Sequence, residues 1–180
     1  MVDLTEELMS DILWDYFHGK HIDTQNLEYK FGTDEWSDHS FNSHDSCING
    51  CKYCYAWAGK IRRNQKGKDE YGKSMMRKEN WCKLWKNRNE KFVIMYPTAH
   101  DTDETNMGDI LLNILSMLSA KNVDVLFVTK PRYEVIRFFT KILENYKHRI
   151  EFRLTIGTNS NEELEFWEPN APKYEERLKS

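Results

Sequence analysis

No stretch of this 180-residue chain approaches the roughly 20 apolar residues needed to cross a bilayer, so a membrane-spanning helix is not expected. The opening Met1-Val2-Asp3-Leu4-Thr5-Glu6-Glu7 is acidic and lacks the charged-then-apolar order of an export signal. A strong excess of one charge is missing as well. The formal net charge is −3, which by itself points neither to nucleic acid nor to a membrane surface. Cysteine is sparse, four residues in all. Without an export signal the expected compartment is the cytoplasm, where thiols stay reduced and a disulfide framework is not expected. With 39% hydrophobic and 31% charged residues, the composition is that of a globular domain long enough to bury one core.

The cysteines are few, but three of them sit together in Ser46-Cys47-Ile48-Asn49-Gly50-Cys51-Lys52-Tyr53-Cys54-Tyr55-Ala56. Their spacing is C-x3-C-x2-C. Clustered cysteines in a reducing compartment point to metal ligation. Three thiolates on one loop can hold three irons of a 4Fe–4S cube, which leaves the fourth iron open to a small molecule. Gly50, beside a ligand, allows backbone angles that a side chain would forbid. Zinc is the alternative, because C-x2-C also serves zinc. It would need a fourth ligand such as His44, His39 or Cys82, and neither histidine completes a common zinc spacing.

Elsewhere the pattern alternates between strand and helix. An apolar stripe through Leu4, Leu8, Ile12 and Tyr16 predicts a helix over Asp3 to Phe17, capped by Asp3 or Thr5. The segment His18 to Phe31 is polar and turn-like. A short strand is expected over Ser40 to Ser43, and a helix from Tyr55 to Asn64. Arg77 to Asn89 also looks helical, with Cys82 beside its apolar face. Between Lys60 and Lys91 basic residues outnumber acidic ones, interleaved with Tyr71, Trp81 and Trp85. That pattern fits either a solvated helical face or a nucleic-acid surface. The continuous apolar run Lys91 to Tyr96 predicts a strand buried on both sides. A polar loop, Thr98 to Asp103, precedes a helix over Asp109 to Ala120. A strand over Val123 to Val128, a helix over Tyr133 to Tyr146 and a strand over Ile150 to Ile156 follow. Glu168 to Pro172 reads as a loop, and a last helix begins near Lys173.

Strand, loop and helix in repetition predict an α/β fold with a parallel sheet. Ligands of such sheets bind at the C-terminal strand ends. Here those ends carry the cysteine loop, Thr98 to Asp101, Thr129-Lys130 and Thr155 to Thr158.

The cysteine spacing, with an aromatic residue just before the last cysteine, resembles the signature loop of the radical S-adenosylmethionine (radical-SAM) enzymes. Several features are similar to the subgroup around spore photoproduct lyase. They are Glu35-Trp36, Cys51-Lys52-Tyr53-Cys54-Tyr55-Ala56, Thr129-Lys130, Trp167-Glu168-Pro169, Ala171-Pro172 and Glu176-Arg177-Leu178. The match covers about residues 33–180.

The resemblance implies a partial (βα) barrel of the radical-SAM type over residues 33–180, and the helix expected from the apolar stripe makes residues 1–32 an N-terminal helical extension. It implies that Cys47, Cys51 and Cys54 ligate the 4Fe–4S cluster, and that S-adenosyl-L-methionine chelates the open iron and is cleaved to a 5′-deoxyadenosyl radical. Tyr53 would lie against the adenine, Lys130 would bind the methionine carboxylate and Thr98 would lie near the amino group. Thr155 and Thr158 would lie near the ribose, with His100 and Asp101 in supporting or substrate contacts. A reductant such as flavodoxin or ferredoxin is the implied partner, and nucleic acid a candidate substrate. The family barrel continues for two further βα units, whereas this chain ends at Ser180 as its fourth helix begins. The reading therefore expects a barrel truncated after the fourth strand, as a fragment, a shortened product or a chain completed by self-association. Two other readings stay open: a zinc-binding nucleic-acid module, and an inactive relative that keeps only the cluster loop.

Overall fold

A computed structural model describes residues 32–65 and 90–180. Four parallel strands form one sheet: β1 (His39–Ser40), β2 (Phe92–Tyr96), β3 (Val123–Thr129) and β4 (Ile150–Leu154). The helices are α1 (Tyr55–Arg62) after β1, α2 (Met107–Ser119) after β2, α3 (Tyr133–Ile142) after β3, then α4 (Asn161–Trp167) and α5 (Tyr174–Lys179). The protein is thus α/β with strands and helices alternating, as the sequence pattern predicts. The expected N-terminal helical extension lies, apart from Gly32, outside the described residues. So do the helix expected over Arg77 to Asn89, Cys82 and most of the basic stretch.

Strand order follows sequence order, β1-β2-β3-β4. Parallel crossovers are right-handed almost without exception, so a sheet wound in one direction keeps its helices on one face. The register agrees: Phe92 pairs with Val123, Ile94 with Val125 and Tyr96 with Phe127, while Phe127 also pairs with Phe152. These residues share a face and form one core with Ile110, Ile114 and Leu118 of α2 and Val135, Ile136 and Phe139 of α3. The i, i+4 and i+8 spacing on α2 and the i, i+1 and i+4 spacing on α3 turn those side chains to the sheet. On the other face Met95 and Leu126 are also buried, as expected for strands covered on both sides.

Several boundaries differ from the sequence reading; β4, for one, ends at Leu154 rather than Ile156, and α2 begins at Met107 rather than Asp109. β1 is only His39–Ser40, because beyond Phe41 the side chain of Asn42 turns to cap the β2 loop. Helix α1 stops at Arg62, ahead of Asn64, which takes a left-handed φ of 52°. Helix α3 ends at Ile142, and a separate 3-10 turn covers Glu144–Tyr146. The sequence reading also passed over α4. Ser160 caps it by accepting from the Glu163 amide at 3.4 Å, and Ser-x-x-Glu is the signal that marks such a start.

Candidate functional site

The C-terminal strand ends converge on the cysteine loop. Cys47, Cys51 and Cys54 line one cavity of about 130 Å³ together with Tyr53, Thr98 and Lys130. Asn49, His100 and Asp101 also line it. Cys51 is buried and the other two thiols are partly so. Burial, with the Asp101 carboxylate adding to it, pushes the Cys47 thiol up to about 12. Burial also raises the Cys51 thiol, against the pull of the Lys130 cation. Both are therefore neutral thiols at pH 7, and a metal binding there displaces their protons. Cys54 is the N-cap of α1, and its sulfur accepts from the Trp57 amide at 3.4 Å.

Asp101 ties this cavity together. One carboxylate oxygen accepts from Asn49 Nδ2 at 2.8 Å and from the Lys130 amide at 3.1 Å. The other takes the Thr129 hydroxyl and the Thr102 amide, the latter at 2.8 Å. The cysteine loop, the β2 loop and the end of β3 are thus fastened to one carboxylate. Burial raises the Asp101 carboxyl above its ordinary range, opposed by these hydrogen bonds and by Lys130. Asn42 works similarly on the β2 loop: its carbonyl accepts from the Thr98 amide at 2.9 Å and the Ala99 amide at 2.6 Å, and its amide donates to Thr98 Oγ1 at 2.7 Å.

A second cavity, of about 470 Å³, opens on the other side of Tyr53 and is lined by Gly157, Thr158, Leu164, Trp167 and Glu168. Its size falls within the roughly 300–1,000 Å³ of small-molecule sites. Tyr53 belongs to both cavities. Thr158 is brought to the second cavity, where its hydroxyl donates to Glu163 Oε2 at 2.7 Å. Thr155 lines neither; its amide extends the sheet by donating to the Thr129 carbonyl at 2.8 Å.

The two histidines considered for zinc have other partners. His44 meets Ser43 Oγ at 2.9 Å through Nδ1, and its Nε2 lies 3.8 Å from Asp109 Oδ2. His39 packs edge-on against Phe92, with ring centroids 5.3 Å apart. Among the described residues no three His, Cys, Asp or Glu side chains gather tightly enough to hold one metal ion.

The sequence reading gave no role to Asn42, Asn49, Arg132 or Arg177. Arg132 reaches Asn49 Oδ1 at 3.1 Å and the Asn170 carbonyl at 2.9 Å, and only the fold reveals those partners. Comparison with protein-family models, curated proteins and solved structures finds no match to this chain. Among the described residues, no helix is long and apolar enough to cross a membrane.

Proposed function

We propose that Cys47, Cys51 and Cys54 hold a 4Fe–4S cluster, and that the chain carries the cofactor-binding part of a radical-SAM enzyme of the spore photoproduct lyase-like kind. One observation carries this reading: three thiols of a single loop share a cavity with Lys130, which arrives from the end of a distant strand. The cysteine spacing alone did not require a cation there. The singly wound parallel sheet also supports it, because that winding is the one a (βα) barrel uses. When bound, the cluster supplies the electron that cleaves the sulfonium of S-adenosylmethionine to a 5′-deoxyadenosyl radical.

The chain's own residues bind and orient. Lys130 is the cation for the methionine carboxylate, strengthened by its partly dry setting. The Thr98 hydroxyl, with Asn42 donating to its oxygen, keeps its proton for a ligand acceptor. Tyr53 presents its ring between the cavities for the adenine, and Thr158 lies on the wall where a ribose would sit. A nucleic acid is the proposed substrate class, from the resemblance and the basic stretch after Lys60, with flavodoxin or ferredoxin as the proposed reductant.

The test is anaerobic reconstitution with iron and sulfide, then iron analysis and a cofactor-cleavage assay with a reductant. The expected result is about four irons per chain, a broad absorption band near about 400 nm and 5′-deoxyadenosine as product. Colourless protein carrying stoichiometric zinc would overturn the reading. Cluster uptake without cofactor cleavage would reduce it to an inactive cluster-binding relative.

A further inference from the structure

In the fold the motif Trp167-Glu168-Pro169, with Asn170, forms a strap across the cysteine loop. The Lys52 amide donates to the Trp167 carbonyl at 2.9 Å, and the Asn170 amide donates to the Asn49 carbonyl at 3.2 Å. Asn170 Nδ2 donates to the Ile48 carbonyl at 3.0 Å. Glu168 is only 3% exposed and lines the larger cavity beside Tyr53, which borders both. Its Oε1 accepts from the Tyr53 hydroxyl and lies 3.7 Å from Lys130 Nζ. Its Oε2 accepts from Arg177 at 2.5 Å.

Arg177 is itself 1% exposed. It donates its other N–H groups to the carbonyls of Pro172 at 2.7 Å and Ile156 at 3.1 Å. The guanidinium is therefore fixed to the end of β4, and it fixes the carboxylate in turn. A carboxylate gripped this way cannot follow Tyr53 or Lys130; they must follow it.

We propose that Glu168 is a positioning residue that sets Tyr53 and Lys130 relative to the three thiols. One oxygen is anchored by Arg177, while the other orients the aromatic residue of the cysteine loop and the lysine that faces the ligand. Its functional meaning rests on the cluster reading above, but the geometry it asserts does not.

The test uses the full chain, metal-free and reduced, as the variants Tyr53→Phe, Glu168→Gln and the double variant. Backbone amide hydrogen exchange is read peptide by peptide. Loss of one charge-assisted hydrogen bond should speed exchange over residues 49–54 by about tenfold in Tyr53→Phe, leaving α2 and β3 unchanged. The double variant should exchange no faster there than the faster single variant, because both act through one contact. If Glu168→Gln does not fold, Tyr53→Phe decides alone, since it keeps the ring and loses only the hydroxyl. Unchanged exchange in Tyr53→Phe, or additive effects in the double variant, would overturn the proposal.

A second arm uses reconstituted protein and the affinity for S-adenosylmethionine. Glu168→Gln should weaken it about tenfold at unchanged iron content, and an unchanged affinity overturns the assignment of Lys130 orientation to Glu168. The two readings fail separately. Loop exchange that follows Tyr53 and Glu168 in protein that takes up no iron keeps the positioning and removes the cluster. Cofactor cleavage with unmoved exchange does the reverse.

Discussion

Replacing Asp101 by Ala tests whether one carboxylate holds the site together. In the native protein it accepts from Asn49 Nδ2, the amides of Thr102 and Lys130 and the Thr129 hydroxyl. Each buried donor left without a partner costs about 1–3 kcal/mol. Two effects reduce the sum. Asp101 borders the cysteine cavity, so water can reach some of the orphaned donors. The buried charge also carries a desolvation cost that Ala removes, the same cost that raises its carboxyl above the ordinary range. The expected net loss is about 2–4 kcal/mol, with Asp101→Asn losing about half as much because one acceptor oxygen remains. The assay is urea unfolding of reduced, metal-free protein followed by circular dichroism, with the slope m compared between variants. Alkylation of Cys47 should also speed up in Asp101→Asn, since the carboxylate is one of the groups that raise that thiol. A stability within about 0.5 kcal/mol of the wild type for Asp101→Ala would refute the claim that this carboxylate fastens the loop.

Two further outcomes are expected. Burial holds His44 below its ordinary pKa, against the pull of Asp109 and Asp103. Its contribution to stability is therefore complete above the unfolded value of about 6.5 and is lost as pH falls through the folded value. Thermal scans between about pH 7 and pH 5 should show a steeper fall in Tm for the wild type than for His44→Gln; parallel curves would exclude this role. Gly50 has a φ of +63°, and a Cβ there would stand 3.1 Å from Asn170 Nδ2. Gly50→Ala should lose about 1–2 kcal/mol in the same urea assay, and an unchanged midpoint would show that the strap yields freely.

Much of the architecture could be read from residue order. The apolar run Phe92 to Tyr96 and the stripe Ile110, Ile114 and Leu118 specify a buried strand and a one-sided helix without knowledge of their neighbours. That kind of signal is local, because period-2 and period-3.6 patterns are written along the chain itself. Boundaries were less legible where side chains override the pattern. The short β1 is a case, cut off where Asn42 turns to serve the β2 loop. Helix α4 was passed over, although Ser160 and Glu163 carry its start signal.

The candidate site divides in the same way. Cys47, Cys51, Cys54 and Tyr53 fall within eight consecutive residues, so their company needs no fold to explain it. Lys130 and Thr98 were placed by the rule that parallel sheets gather ligands at strand ends, and the cavity they share with the thiols agrees with that placement. Thr155 was placed by the same rule and lines neither cavity; its amide extends the sheet to the Thr129 carbonyl.

By itself, the order of residues determined the α/β alternation, the clustering of three thiols and the polar character of every strand end. Only the tertiary structure decided that Asp101 binds three loops at once, that Glu168 is shared by Tyr53, Lys130 and Arg177, and that His44 turns to Asp109. The reason is physical. A periodic pattern or a metal-ligand spacing is a property of neighbours along the chain. The partner of a buried carboxylate is whichever donor packing brings within about 3 Å, and for Glu168 one of those donors, the Tyr53 hydroxyl, lies 115 positions away in sequence.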